Sequence, residues 1–246
     1  MKTDLLQMQL SAIDEERFGI RTARCAPVTM ASLPSVLEFC RANDVRLLIA
    51  RCPATDLAVA QAMEREGFSL MDVLIYYTRN LVKTPIPSDT CEVLVRTIRL
   101  GDEEQVKTVA AESFRGYFGH YHADPRLDKE KCDEAYISWA VRSCVSREVA
   151  DEVLVAVEGE SILGFATLRL NSPEEGEGVL FGVAPAAQGR GIYRSFIIRA
   201  MEWFRSRGRS HMVVSTQITN IAVQKVWVRV GFEPSHAYYT FHKWFD

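Results

Sequence analysis

The chain has 246 residues, with 48% hydrophobic and 25% charged residues and a formal net charge of −3, which is typical of a globular protein and excludes a disordered or fibrous one. There is no basic excess for binding nucleic acid or an anionic membrane, so neither is expected as a partner. No apolar run is long enough to span a membrane, and the polar N-terminus is unlike a signal peptide.

The residue pattern predicts one strand–helix–strand unit twice, at residues 46–79 and at residues 211–243. In each copy a Gly-Phe pair, Gly67-Phe68 or Gly231-Phe232, separates the helix from the last strand. The predicted elements are a strand at 46–49, a helix at 55–66 and a strand at 70–79, then a strand at 211–215, a helix at 220–230 and a strand at 237–243. We interpret the N-terminal part as half of the fold formed by the rest, although an α/β protein can also contain such a unit twice by chance.

A linker is predicted at residues 81–89, because Pro85 and Pro87 lie among polar residues there. It divides the chain into an N-terminal domain of residues 1–85 and a larger domain of residues 86–246.

The larger domain alternates between strand and helix patterns. Its predicted elements are a strand at 91–97, a helix at 102–114, a loop at 116–128, a helix at 131–145, a hairpin of strands at 153–157 and 163–170, a strand at 178–183, and a helix that follows residue 191 and ends at Gly208. This order indicates an α/β protein with a mixed sheet and helices on both faces.

A glycine-rich segment lies between the strand at 178–183 and the next helix. It consists of Gln188, Gly189, Arg190, Gly191, Ile192 and Tyr193. Glycines allow a ligand close to the backbone, and the unpaired N–H groups at a helix start favour phosphate. Arg190 and Arg194 would add positive charge. The segment lacks the Lys-Ser/Thr pair of a P-loop and the dinucleotide GxGxxG pattern, and a plain loop capping the helix is the alternative.

The preceding strand ends at Pro185, which cannot donate to a neighbouring strand. A strand that leaves its neighbour exposes backbone groups, and an extended amide-bearing ligand such as pantetheine can pair with them.

The strand, Ala184-Pro185, the glycine-rich segment and the helix resemble motif A of the GCN5-related N-acetyltransferases (GNAT), and Asn220 with Gly231-Phe232 resembles their motif B. The resemblance implies a mixed central sheet of GNAT type and acetyl-CoA or another short acyl-CoA as co-substrate. We expect no metal, because the spacing of ligand residues for one is missing. The residues that it implies for acyl-CoA binding are Phe181, Gly182, Val183, Gln188, Gly189, Arg190, Gly191, Ile192, Tyr193, Arg194 and Asn220.

Residues 16–20, 66–72, 136–140 and 215–220 resemble the dTDP-fucosamine acetyltransferases, which act in O-antigen biosynthesis. This resemblance implies a truncated GNAT-like N-terminal half domain, a homodimer, and a nucleotide-linked amino-deoxysugar as acceptor. It places the loop at 119–126 against the sugar. The substrate residues that it indicates are His120, Tyr121, His122, Asp124 and Arg126.

The catalytic residues indicated are Asp72, Asn220 and Trp227. The resemblance points to Asp72 as the proton acceptor for the amine, and a charged residue in an apolar strand often marks a site; an exposed edge strand is the alternative. Two positions depart from the family pattern: Tyr193 replaces a small residue, and Trp227 replaces the tyrosine proposed to protonate the leaving thiolate. Because an indole is no acid, Tyr193, Tyr238, Tyr239 or water would substitute.

Other interpretations stay open. His120, His122 and Asp124 could bind a metal or form a solvated loop, and Arg126 could form a surface ion pair rather than meet a diphosphate. The acceptor could be an aminoglycoside or a polyamine, and the acyl group could be acetyl or hydroxybutyryl. A sensor that binds acyl-CoA without turnover is the non-enzymatic alternative. Six cysteines without a CxxC pair indicate a reducing cytoplasm.

Overall fold

The computed structural model describes residues 6–246 and forms two compact units. Unit 1 contains the chain up to Ile75 together with Phe118–Cys132 and His236–Asp246, and unit 2 contains Tyr76–Tyr117 and Asp133–Ser235. The chain therefore enters each unit more than once, which differs from the single boundary near residue 85 that the prolines suggested.

Unit 1 has a four-stranded mixed sheet in the order β1-β2-β3-β10. Strand β2 pairs parallel with β3, whereas β1 with β2 and β3 with β10 are antiparallel. The N-terminal elements are β1 (Gln7–Leu10), α1 (Ala12–Phe18), β2 (Thr22–Ala26), α2 (Leu33–Ala42), β3 (Leu47–Pro53), α3 (Leu57–Arg65) and β4 (Ser69–Asn80). Strand β4 begins in unit 1 and ends in unit 2.

The two faces of the unit 1 sheet differ in polarity. On one face Leu48, Ala50 and Phe241 are buried in a core to which α2 and α3 contribute Val36 and Met63. Because side chains alternate along a strand, the paired residues Gln9, Arg24, Ile49 and His242 share the opposite face, as do Arg51 and Thr240. We call this second face the polar face of unit 1.

Unit 2 has a mixed sheet in the order β9-β8-β7-β6-β5. Only β8 and β9 pair parallel among these strands. The remaining elements of the chain are β5 (Leu94–Thr97), α4 (Glu103–Ser113), α5 (His120–Ala123), α6 (Lys129–Val145), β6 (Glu152–Glu158), β7 (Ser161–Leu170), β8 (Glu175–Val183), a 3-10 turn (Pro185–Ala187), α7 (Ile192–Ser206), β9 (His211–Gln217), α8 (Ile221–Arg229) and β10 (Glu233–Trp244).

Helix α7 follows from its sequence. Phe196, Ala200 and Phe204 recur at steps of four and are fully buried, so one face of the helix packs into the core. Gly208 adopts a φ of +75° just after the helix, a conformation that favours glycine at a helix end. Within residues 6–246, no helix is long and apolar enough to cross a membrane.

The predicted repeat is confirmed element by element. Strand β3, helix α3 and strand β4 have 7, 9 and 12 residues, and β9, α8 and β10 have the same lengths. Each element of the second copy begins 164 residues after its counterpart, since Leu47 corresponds to His211 and Ser69 to Glu233. The copies also share their helix cap. Asp56 accepts a hydrogen bond from Val59 N, and Asn220 accepts the equivalent hydrogen bond from Val223 N.

One predicted element is wrong in part. The segment 116–128, expected to be a loop, contains the short helix α5. His120, Tyr121 and His122 of this helix are buried, whereas Phe118 is exposed. The local pattern does not reveal which of these side chains are buried.

Candidate functional site

Strands β8 and β9 pair along only part of their length. Their register runs from Glu175 opposite His211 to Gly178 opposite Val214, and it stops there although β8 continues to Val183 and β9 to Gln217. On its other side β8 stays paired with β7 up to Val183. The end of β8 therefore has backbone groups on the β9 side that an extended ligand could pair with.

The turn after β8 leads directly to the start of α7. Gly189 and Gly191 adopt φ values of +78° and +81°, which non-glycine residues rarely adopt, and the space at both Cβ positions is open. Within the described residues, no backbone acceptor is assigned to the amide N–H groups of residues 189–194. These unpaired donors at a helix N-terminus can bind a diphosphate.

The arginines of the segment are partly committed to other groups. Arg190 Nη2 lies 2.5 Å from Glu158 Oε1, and its hydrogen bond and charge hold the pKa of Glu158 below its usual value. Arg194 donates to the carbonyl of Ser88 at 3.2 Å. The predicted contribution of Arg190 to phosphate binding thus competes with an existing ion pair.

The side chains of β8 near the gap serve packing. A Cβ at Gly182 would lie 2.5 Å from Phe165, so this position requires glycine. The Phe181 ring lies 5.4 Å from the Tyr193 ring. Ile192 is 1% exposed and anchors the first turn of α7.

The two departures from the family pattern contact each other. Trp227 Nε1 donates a hydrogen bond to Tyr193 Oη at 3.1 Å, and Trp227 is 2% exposed. Burial raises the pKa of Tyr193, against the hydrogen bond from Trp227, so the phenol keeps its proton. A protonated hydroxyl on α7 thus lies against the indole that occupies the usual tyrosine position on α8.

Asn220 and Asp72 lie in different environments. Asn220 caps α8 by accepting from Val223 N, and its Nδ2 donates to Thr216 Oγ1 at 3.0 Å. Asp72 lies half-buried on β4, and its Oδ1 is buried without a hydrogen-bond partner in the part of the chain that the structure describes. A buried carboxylate oxygen without a hydrogen-bond partner lowers the stability of the folded protein, so folding by itself does not explain this arrangement.

The predicted substrate residues form a buried network in unit 1. Asp124 Oδ2 accepts from His242 Nδ1 at 2.7 Å and from Trp244 Nε1 at 2.9 Å, and His242 Nε2 lies 2.9 Å from His120 Nδ1. Burial is the largest single influence on Asp124 and opposes its ionisation, but the hydrogen bonds from His242, Arg126 N and Trp244 together outweigh it and keep the pKa of Asp124 low. Burial, followed by the charge of His242, holds the pKa of His120 well below its usual value.

The remaining members of this segment are also partnered. Tyr121 donates to Asp14 Oδ1 at 2.7 Å, and His122 is 9% exposed. Arg126 pairs with Asp246 at 3.0 Å and stacks on Trp244. The solvated-loop interpretation is therefore wrong for His120, His122 and Asp124, whereas Arg126 is exposed and forms the surface ion pair that was its alternative. Among the residues described, no group of three or more His, Cys, Asp or Glu side chains could hold a metal ion.

Comparisons with known proteins agree with the geometry of unit 2. A family model described as acetyltransferase (GNAT) family matches residues 110–232. Over 207 residues the chain is 22% identical to the spore coat polysaccharide biosynthesis protein SpsD of Bacillus subtilis, a match that covers 82% of this chain and 68% of SpsD.

Other matches are shorter or lie in structure alone. Over 80 residues the chain is 31% identical to a mycothiol acetyltransferase of Nocardia farcinica, covering 31% of this chain and 26% of that protein. A GCN5-related N-acetyltransferase of Sphaerobacter thermophilus superposes with a TM-score of 0.65 at 16% identity, over 97% of this chain and 76% of that one. At this identity the similarity shows the fold.

Proposed function

Because the chain belongs to the GNAT acetyltransferase family and is therefore an acyltransferase that uses acetyl-CoA, we propose that it transfers acetyl, or a short hydroxyacyl group such as 3-hydroxybutyryl, to the amine of a nucleotide-linked amino-deoxysugar, with dTDP as the nucleotide. The observation that carries this choice of acceptor is the similarity to SpsD, whose name assigns it to polysaccharide biosynthesis. Family membership favours an enzyme over the sensor alternative.

The acyl-CoA residues fit the groups that they would hold. The unpaired amides of residues 189–193 would bind the pyrophosphate, and the backbone of Phe181 and Val183 would pair with pantetheine. A backbone N–H near Val183 would stabilise the carbonyl oxygen as it gains negative charge. The side chain of Asn220 is engaged in capping α8, so Asn220 would contribute to acyl-CoA binding and catalysis by fixing the start of that helix.

Two side chains would move protons. The reaction forms an amide C–N bond and breaks the thioester C–S bond. The ammonium group of the acceptor loses two protons, of which one is released and the other balances the proton gained by the thiol of coenzyme A. Asp72, with its unpartnered oxygen, would accept the proton from the acceptor, directly or through water. Tyr193 would donate a hydrogen bond or a proton to the departing thiolate, while Trp227 holds the phenol in place.

The setting of the reaction follows from the resemblance and from the cysteines. All six cysteines are free thiols, which supports a reducing cytoplasm. We include a homodimer in the proposal on the resemblance alone.

The test is a panel assay. The purified protein is incubated with acetyl-CoA and with dTDP- and UDP-linked amino sugars, polyamines or aminoglycosides, and free thiol is followed. We expect thiol release with a nucleotide sugar and a matching acetylated product by mass spectrometry. Turnover of a polyamine or an aminoglycoside without turnover of any nucleotide sugar would replace the proposed acceptor.

A further inference from the structure

A cleft of about 170 Å³ opens on the polar face of unit 1, where strands β1, β2 and β3 run side by side. The polar side chains that line it are Gln7, Gln9, Arg24 and Arg51. No carboxylate is among its lining residues within the described part of the chain. A concave site with two arginines, two amides and no acid is suited to an anion.

Arg51 is the unusual member of this cleft. Its Nε is buried and has no hydrogen-bond partner, and Arg51 forms no ion pair with any described residue. Thr240 lies opposite Arg51 in the ladder of β3 and β10, and therefore on the same face. The Thr240 side chain is fully buried, and its Oγ1 also has no partner.

Two neighbouring polar groups without partners are costly in a folded protein. The guanidinium can only donate hydrogen bonds, and a hydroxyl can donate one as well. A ligand that pairs with the guanidinium must therefore offer acceptor atoms. An oxyanion offers several acceptors on one centre, and it would also neutralise the unpaired charge of Arg51.

The surrounding charges favour an anion further. Arg24 and Arg17 both approach Asp14, at 2.6 and 3.6 Å, so one carboxylate is shared between two guanidinium groups. Burial is the main cause of the low pKa of His120, followed by the charge of His242 and then by the charges of Arg51 and Arg24. His120 therefore lies in the positive field of both arginines.

The cleft differs from the gap in unit 2 in how it can hold a ligand. The parallel ladder of β2 and β3 ends at Cys25 opposite Ala50, the counterpart of Gly178 opposite Val214. Here, however, the next carbonyl is already occupied, because Val28 N donates to Arg51 O at 2.8 Å. Ligand binding must therefore rest on side chains.

We propose that this cleft binds a phosphate group, held by Arg51 with support from Arg24 and the two glutamines. The fork of a guanidinium matches the oxygens of a phosphate, and the cleft has room for about five water-sized groups. The phosphate belongs either to the diphosphate of the acceptor or to a separate nucleotide. That the phosphate belongs to the acceptor rests on the proposed function, whereas phosphate binding by the cleft does not depend on it.

The experiment compares Arg51→Gln with Arg65→Gln. Arg65 is an exposed arginine on α3, so its replacement changes the net charge of the protein equally. Protein saturated with free coenzyme A is titrated calorimetrically with pyrophosphate, dTDP and UDP, because coenzyme A blocks the diphosphate site at α7. We expect Arg51→Gln to weaken binding by about tenfold or more, and Arg65→Gln to leave it unchanged within about twofold.

Two further variants guard against misfolding. Arg51→Lys keeps the charge and should bind with intermediate affinity, because it loses the fork but not the cation. Gln9→Leu removes an exposed amide that lines the cleft, and it should weaken phosphate binding while the protein remains folded by circular dichroism. Equal affinity of Arg51→Gln and Arg65→Gln, or no heat from any phosphate compound with the wild type, would overturn the proposal.

Steady-state kinetics then separate the two sources. A higher KM for the nucleotide sugar in Arg51→Gln, with an unchanged KM for acetyl-CoA, assigns the phosphate to the acceptor. Weaker pyrophosphate binding with an unchanged acceptor KM assigns it to a separate phosphate compound. If no nucleotide sugar is turned over but Arg51→Gln still loses affinity for pyrophosphate, the proposed function fails and the cleft stands.

Discussion

The contact between Tyr193 and Trp227 predicts that Tyr193→Phe slows the chemical step and spares coenzyme binding. The substitution removes one oxygen atom, whose role in the proposed reaction is to donate to the leaving thiolate. Proton donation typically contributes about 10²–10⁴-fold, and a thiolate is a weakly basic leaving group, so we expect a loss in kcat of about 10²-fold. Free thiol release under saturating substrates measures kcat, and calorimetry measures coenzyme A affinity.

The same substitution has a cost in stability that can be worked out from the structure. Tyr193 Oη accepts the hydrogen bond from the indole N–H of Trp227, which is 2% exposed. Tyr193→Phe leaves that N–H buried and unpaired, at a cost of about 1–3 kcal/mol in the free energy of unfolding. Trp227→Phe removes the donor instead, so the hydroxyl of Tyr193 stays and can still act as the acid.

The double variant completes a thermodynamic cycle. In a Trp227→Phe background, Tyr193→Phe no longer leaves an indole unpaired, so its additional cost should fall below its cost in the wild type. Urea unfolding of the four proteins measures the difference. Wild-type kcat in Tyr193→Phe, or the same stability cost in both backgrounds, would refute the role given to this pair.

Three further predictions follow from other parts of the molecule. Gly191→Val should raise the KM for acetyl-CoA roughly 5–30-fold, because a φ of +81° costs a residue with a side chain about 1–2 kcal/mol. Steady-state kinetics measure this KM, and a change in the KM for the acceptor alone would contradict the prediction. His120 has a low pKa in the folded state, so the unfolded chain binds an extra proton below its ordinary pKa of 6.5. Stability should therefore fall as the pH drops below that value, by up to about 1.4 kcal/mol per pH unit, and His120→Gln should reduce the slope in urea unfolding at pH 5–7. Burial raises the pKa of Cys25 to about 12 and that of Cys40 to about 11, so a thiol reagent at pH 8 should modify the half-buried Cys91 first and these two only after unfolding.

Local sequence patterns were sufficient for the elements of unit 2. Helix α7 has its apolar residues at helical spacing and a glycine at each end, and its predicted limits agree with Ile192–Ser206. The hairpin of β6 and β7 is likewise marked by a short polar turn between two apolar runs. Such features depend on residues that lie near each other in the chain, so the amino-acid sequence of this protein alone is sufficient to predict them.

The environment of segment 118–132 could not be predicted in the same way. His120 meets His242, and Asp124 meets His242 and Trp244, across more than a hundred residues of chain. A His-x-His pattern with a nearby aspartate is compatible with a metal site, a substrate site or a buried network. Only the position of β10 decides among these, and no local pattern encodes it.

The Tyr193–Trp227 pair shows a limit of reasoning from a family pattern. Each residue alone departs from the motif, and Trp227 alone indicates a missing acid. Their hydrogen bond places a hydroxyl from α7 against the indole that occupies the usual tyrosine position, and we propose that the two departures compensate each other in this way. The chemistry of a site depends on where a group lies, and two elements can supply the same group.

The first strand of each copy of the repeat, β3 or β9, belongs to a parallel pair, β2 with β3 and β8 with β9, and α2 or α7 connects the two strands of the pair. When these preceding elements are added to each copy, both ladders stop at equivalent residues. In the first copy Val28 N occupies the carbonyl of Arg51 beyond the ladder, and Ser32 accepts from Thr29 N ahead of α2. In the second copy the strands separate, and glycines with positive φ leave the amides of residues 189–194 unpaired. We therefore expect the capacity to bind a diphosphate through the backbone to depend on the turn between strand and helix. In unit 1 the proposed phosphate site depends instead on side chains such as Arg51.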